Sequence, residues 1–440
     1  MQQSQFEIQQ PHKIIKIFLK MQFFSYKNNH NISELFVENT AISSIAKQVG
    51  TPFYCYSKQA IIENYQQFVK SFALYHLTNY KICYAIKANA NLHLVEILAS
   101  LGAGVDAVSA GEIFRALKAG IKPDKIVFAG VGKTAQDITF ALQNQVDDFS
   151  VESIDEMFLL NEIATKLNKK VKFSLRVNPK VDANTHHKIS TGRKNDKFGI
   201  DIDLAKEVYV MASKLPALEI HGISTHIGSQ ITSLEPFEIA FSKVRELCLS
   251  LQKQGYNIQN LDFGGGIGID YQNNPTINIA DYIKLLQQTT LGLGVSITID
   301  PGRAIVGDAG LLVVKTLFCK ETANKSFVII DGAINDLMRP GLYGSYHEVL
   351  PIIKKSGPKA TFDFAGPVCE TTDILASDRQ IVVPDNGDLF AFCSAGAYGS
   401  SMSNQYNCRP LVPEVLVDND KFLVIRKRPT FAEMIELENL

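Results

Sequence analysis

The chain has 440 residues, 46% of them hydrophobic, with 44 basic against 45 acidic side chains. That is apolar mass enough for a large core and two domains, and a net charge of −1 without a basic stripe excludes nucleic acid as the main partner. No apolar run reaches the roughly 18 residues that span a bilayer, and seven scattered cysteines without a C-x-x-C pair suit a reducing, cytoplasmic setting better than a disulfide framework or a metal site.

Residues 1–20 read as an extension foreign to a globular fold. A Gln-rich start leads into Ile14–Leu19, too short and too interrupted by lysine for a signal peptide, and Met21 stands as an alternative start. Residues 21–50 are expected to pair with the C-terminal domain. From Thr51 the chain alternates strand-like runs with helical patterns. The strand-like runs are Ile82–Ile86, Gly104–Val108, Ile126–Ala129, Phe149–Val151, Phe173–Val177, Ile220–His226, Leu261–Phe263 and Ser296–Ile299. Helix-period segments such as Leu92–Leu101, Gly111–Ala119, Ile154–Leu167 and Phe237–Gln252 lie between them. Eight strand–helix repeats predict an α/β unit over residues 51–305, a (β/α)8 barrel, with a doubly wound open sheet as the competing arrangement. Beyond it, over 306–440, short β-rich runs are punctuated by Gly, Pro and Asp-Asn: Leu311–Phe318, Phe327–Ile330, Ala360–Phe364, Gln380–Val383, Asp388–Cys393 and Leu411–Val417. This segment predicts a C-terminal all-β domain.

Barrel enzymes place their chemistry at the carboxyl ends of the strands. The first strand ends in Lys87, where partial desolvation is expected to lower the amine's pKa and expose a nucleophile for an aldehyde. The sixth ends in Thr225-His-Ile-Gly-Ser-Gln230, the seventh in Asp262-Phe-Gly-Gly-Gly-Ile-Gly268, and the eighth in Asp300-Pro-Gly-Arg303. A triple glycine after strand seven lets backbone N–H groups approach a phosphate. Each feature alone has a plainer reading: a snorkelling lysine, a tight turn, a hydrogen-bonded barrel histidine. Together, an amine, a phosphate cradle and a carboxylate for a ring nitrogen are the three handles by which pyridoxal phosphate is held.

Seven motifs stand in order: Tyr84-Ala-Ile-Lys-Ala-Asn89, His226-Ile-Gly-Ser-Gln230, Gly264-Gly-Gly266, Pro301-Gly-Arg303, Arg339-Pro-Gly-Leu-Tyr343, Gly366-Pro-Val-Cys-Glu370 and Gly396-Ala-Tyr-Gly399. Over roughly Asn31 to Leu437 the chain resembles the diaminopimelate decarboxylases, fold-type III enzymes dependent on pyridoxal phosphate. The resemblance implies that Lys87 bonds to the cofactor, that His226 stacks on its ring, and that Ser229, the Gly266 amide and Tyr398 meet its phosphate. Pro301, Gly302 and Arg303 complete the cofactor site. Asp300 would face the ring nitrogen, although the family usually has glutamate there, so the acid is one methylene short. Cys369, reaching across a homodimer interface into a shared active site, would return a proton after carbon dioxide leaves, and Glu370 would bind the distal amine. Asp106, Glu112 and Arg176 are candidates for supporting these groups.

The substrate that the resemblance implies is meso-2,6-diaminopimelate, decarboxylated at its D-centre to L-lysine, the last step of lysine biosynthesis. Its unreactive end brings a second carboxylate, which Arg303, Arg339, Tyr343 and Tyr398 are suited to hold, arginine in bidentate fashion. Decarboxylases of ornithine, lysine or arginine act on substrates without that carboxylate and usually have aspartate in place of Glu370. A non-catalytic regulator and an amino-acid racemase are the readings from other classes. The retained Lys87 and Cys369 argue against the first, and the Cys-Glu and Arg-Pro motifs against the second.

Overall fold

Eight short parallel strands close on themselves. The computed structural model describes residues 23–29, 32–183, 191–192, 196–272 and 274–438; the extension read from residues 1–20 lies outside them. The barrel strands are Tyr80–Ala85, Gly104–Ala107, Ile126–Phe128, Asp148–Val151, Val171–Asn178, Leu218–Ser224, Asn260–Asp262 and Ser296–Ile299. The last pairs with the first, Ile297 opposite Tyr80. This is the expected barrel, and closure excludes the open sheet. Several strands end a residue or two from the sequence reading, two of them at site residues. Ile86 and Lys87 lie in a 3-10 turn, Ile86–Ala88, and Thr225 and His226 stand in the loop beyond Ser224. The chain leaves the sheet at these points, and that turns polar side chains toward the barrel mouth.

Helices cover the barrel with their apolar faces, and several of their starts are capped. Ser109 accepts a hydrogen bond from Glu112 N at the start of Ala110–Lys118, and Thr134 with Asp137 forms a reciprocal capping box on Ala135–Gln143. Among the described residues no helix is long and apolar enough to cross a membrane.

The second layer is a mixed sheet built on Gly310–Glu321. Strand Phe53–Ser57 falls inside the stretch read as barrel, yet it pairs antiparallel with Gly310–Glu321 and parallel with Glu414–Asp418. Hydrogen bonding therefore places residues 53–57 in the C-terminal sheet. All five are buried. Period-two alternation directs Tyr54 and Tyr56 into the large core shared with the barrel, and Phe53 and Cys55 into a smaller cluster with Leu311 and Val313. Both faces of this strand are covered, so it is a central element that nothing local assigns to one sheet or the other. Earlier in the chain, Ile32–Val37 pairs with Ile353–Lys354.

The loop after Leu389–Phe392 joins the two layers at the barrel mouth. Ala88 O, next to Lys87, accepts from Tyr398 N at 2.8 Å and from Ser401 Oγ at 3.1 Å. Asn89 Nδ2 donates to Gly396 O at 3.2 Å. A Cβ on Gly396 would lie 1.8 Å from Val306 O, so only glycine allows this approach. Gly396→Ala is expected to cost about 1–3 kcal/mol through overpacking. Thermal unfolding followed by circular dichroism should show a lowered midpoint; an unchanged one would mean the loop can shift freely.

Candidate active site

At the carboxyl end of the barrel lies a cavity of about 1160 Å3. Lys87, His226, Ser229, Asp300, Arg303, Arg339, Tyr343 and Tyr398 all line it. Five come from barrel strand ends and three from the β domain of the same chain.

Lys87 Nζ is 3.3 Å from Asp106 Oδ2, and its side chain keeps 38% exposure at the cavity wall. Its pKa runs against the sequence expectation. Burial pulls it down, but the Asp106, Tyr398 and Asp300 side chains outweigh that and hold it above the ordinary lysine value. Without a ligand the group is an ammonium paired with Asp106. Asp106 first, then Tyr398 and Asp300, favour the charged form more than desolvation opposes it.

His226 shows the opposite balance. Burial, then the charges of Lys87 and Arg176, hold it well below the ordinary imidazole range. Its Nδ1 accepts from Gly265 N at 3.1 Å, so the single ring proton sits on Nε2. The glycines after strand seven owe their identity to this packing. A Cβ on Gly264 would meet Thr225 O at 2.5 Å and His226 Nδ1 at 2.8 Å; on Gly265, Asp300 O at 2.2 Å; on Gly266, Gly228 O at 2.4 Å. Three strand-end loops are knitted together where side chains are absent.

Asp300 lines the cavity half-buried, and its Oδ1, itself out of solvent reach, has no hydrogen-bond partner. Burial and the neighbouring Asp262 and Asp106 carboxylates push it well above the usual carboxylate range; Asp262 is pushed up to about 6, first by burial. An acid with an orphaned buried oxygen, beside a second acid, lacks a hydrogen-bond donor at that oxygen. A protonated ring nitrogen is such a donor. With an amine across the same cavity, the residues present fit pyridoxal phosphate.

On the β-domain side, two guanidinium groups meet around a residue that sequence reading missed, Tyr271. Arg303 Nη1 donates to Tyr271 Oη at 2.7 Å, and Nη2 to Ser229 Oγ at 3.1 Å. The Arg339 guanidinium stands 4.8 Å over the Tyr271 ring, and that of Arg303 4.7 Å over the Tyr398 ring. Both arginines are buried, both Nε atoms are unpartnered, and among the described residues neither has a carboxylate within ion-pair distance. Two adjacent buried cations without a counter-charge make an anion site.

Several supporting residues were also hidden from the sequence. Glu152 accepts from Arg176 Nη1 at 2.7 Å, Gly130 N at 3.0 Å and Gly199 N at 3.2 Å. Lys133, fully enclosed, bonds Gly130 O, Ser150 O and Glu156. Neither belongs to a motif; only the convergence of strand ends reveals them. Of the three supporting candidates, Asp106 pairs with Lys87 and Arg176 lines the cavity, whereas Glu112 accepts from Val108 N at 2.7 Å at the start of its helix.

Gly266, Pro301 and Gly302 lie behind the lining; a Cβ on Gly302 would meet Ala88 Cβ at 3.0 Å. Cys369 and Glu370 are not brought to this cavity. Cys369 is an exposed thiol, and the Glu370 carboxylate takes hydrogen bonds from Tyr406 Oη at 2.7 Å and Thr372 Oγ1 at 2.9 Å.

Residues 42–307 match the family described as pyridoxal-dependent decarboxylase, pyridoxal binding domain. A diaminopimelate decarboxylase of Aquifex aeolicus is 45% identical over 404 residues, covering 92% of this chain and 95% of that protein. One from Vibrio cholerae is 44% identical over 422 residues, covering 96% and 99%. The crystal structure of diaminopimelate decarboxylase from Helicobacter pylori complexed with L-lysine superposes with a TM-score of 0.86 at 40% identity, covering 90% of this chain and 99% of that one.

Proposed function

This chain belongs to the diaminopimelate decarboxylases, and from that membership we propose how its own side chains divide the reaction. The enzyme converts meso-2,6-diaminopimelate into L-lysine and carbon dioxide with pyridoxal phosphate as cofactor. The observation that carries the assignment of roles is the pair of buried, uncompensated guanidinium groups of Arg303 and Arg339 in the cavity that holds Lys87.

When bound, pyridoxal phosphate supplies an aldehyde for the substrate amine and a protonated ring that takes up the electron pair released with carbon dioxide. Lys87 would hold the aldehyde carbon, Asp300 the ring nitrogen and His226 the ring face. Ser229, the Gly266 amide and Tyr398 hold the phosphate, beside the Pro301-Gly302-Arg303 turn. A neutral His226, hydrogen-bonded to Gly265, offers a flat surface without adding charge beside the ring. Arg303, Arg339, Tyr343 and Tyr398 grip the distal carboxylate, which orients the D-centre toward Lys87. Cys369 Sγ delivers the proton that replaces the departed carboxyl group, and Glu370 binds the distal amine.

Because Cys369 and Glu370 are exposed and outside the cavity of their own chain, they serve the site of a second copy in a homodimer. A surface suited to that copy lies beside the cavity. Val108, Phe114, Val131, Ile154 and Phe158 are exposed on three consecutive strand–helix units, and Val108 and Val131 line the cavity itself. Mixing inactive Lys87→Ala with inactive Cys369→Ala protein under subunit exchange is expected to restore part of the activity. No recovery despite proven exchange would place Cys369 outside any shared site. Seven cysteines, none of them in a disulfide, support a cytoplasmic location.

The direct test is incubation of purified protein and cofactor with meso-diaminopimelate, assaying lysine and carbon dioxide, with ornithine, lysine and arginine in parallel. Turnover of diaminopimelate alone is expected. Equal or faster turnover of the others would overturn the substrate assignment.

A further inference from the structure

Behind the anion site, outside the cavity lining, sits His347 with no exposed surface. Its Nδ1 is 2.8 Å from Cys393 O, and a carbonyl oxygen can only accept, so Nδ1 carries a proton. Burial, and then the Arg339 charge, push its pKa down to about 3, so it has no second proton. Nε2 is therefore a lone pair. It lies 3.0 Å from Arg339 Nη1, which donates to it.

We propose that His347 is the positioning residue that aims Arg339 at the distal carboxylate of the substrate, and so sets specificity for a diamino-dicarboxylic acid. This inference rests on the assignment of Arg339 to that carboxylate. A carboxylate in place of His347 would anchor the guanidinium equally well, but it would also neutralise it and compete with the substrate. A neutral acceptor fixes direction and leaves the full charge for the ligand. Around it, the Tyr271 ring lies edge-on to the imidazole at 5.6 Å and 82° and carries the Arg339 guanidinium on its face. From the other side, Arg379 Nη2 donates to His347 O at 3.1 Å. The imidazole is thus held at its ring and at its backbone, and Arg339 keeps Nε free of protein partners.

His347→Asn and His347→Gln separate positioning from packing, because they differ by one methylene. The asparagine amide reaches Cys393 O and stops short of Arg339; the glutamine amide reaches Arg339. In the cofactor-loaded enzyme, His347→Asn is expected to raise KM for diaminopimelate about ten- to a hundredfold, the scale of one hydrogen bond to a charged group, with a smaller fall in kcat. The inhibition constant of L-lysine, whose carboxylate occupies the same place, should rise in parallel. His347→Gln should recover most of both losses, and cofactor absorbance should be normal in each. Equal KM values for the two variants, with Arg339→Ala raising KM strongly, would overturn the role of His347 alone. An unchanged KM in Arg339→Ala would instead remove the reading on which it rests.

Discussion

Lys87→Ala is expected to abolish decarboxylation, with a fall of roughly four powers of ten or more, the scale on which loss of a covalent nucleophile is felt. It should also remove the visible absorbance of covalently held cofactor. The Lys87 amine at the cavity wall, 3.3 Å from Asp106, motivates both. Alanine leaves Asp106 buried without its cation, so a loss of stability has to be separated from a loss of chemistry. Lys87→Arg resolves this, because it keeps a cation for Asp106 yet offers no primary amine. Both variants should be inactive, and the arginine form should unfold close to the wild-type temperature. Persistent cofactor absorbance in either variant, after free cofactor is removed, would show that another group makes the bond. Because Lys87 is held as an ammonium by its neighbours, cofactor uptake by the empty enzyme should also quicken as pH rises.

Arg339→Ala is expected to lower the efficiency on diaminopimelate by about two to four powers of ten. Removing one partner of a buried charged pair costs roughly 3–5 kcal/mol, because the remaining charge stays desolvated. Here the remaining charge is the distal carboxylate of the substrate, left with Arg303 and the tyrosines. Cofactor absorbance should be untouched, since Lys87, Asp300 and the strand-seven loop are unaltered. Ornithine, or lysine acting as a substrate, brings no second carboxylate, so any trace turnover of it should not fall. Wild-type efficiency on diaminopimelate would reduce Arg339 to a packing residue of the Tyr271 cluster.

The local character of strand and helix signals made much of this protein legible in its sequence. Eight apolar runs alternating with helical patterns pointed to the barrel and left closure to the structure, because alternation and run length report burial without reference to distant residues. The lysine, histidine and aspartate of the cavity could be named because a closed barrel turns the residues after each strand toward one mouth. The motif order carried the family for the same reason: it is a property of the chain.

What depends on residues far apart was decided only by the tertiary structure. Strand Phe53–Ser57 carries no mark of which sheet it joins, since both of its faces are covered. The sign of the Lys87 shift reversed because it depends on Asp106 and Asp300, which approach the amine from other strands. The close packing of neighbouring loops against the glycines after strand seven depends on residues that no local signal reports. Tyr271, Glu152 and His347 were invisible because nothing in their own neighbourhoods requires them. Their roles come from the single arginines they orient, 32, 24 and 8 residues away along the chain. Periodicity records how each segment meets the core, whereas electrostatics and hydrogen bonding record which segments meet one another.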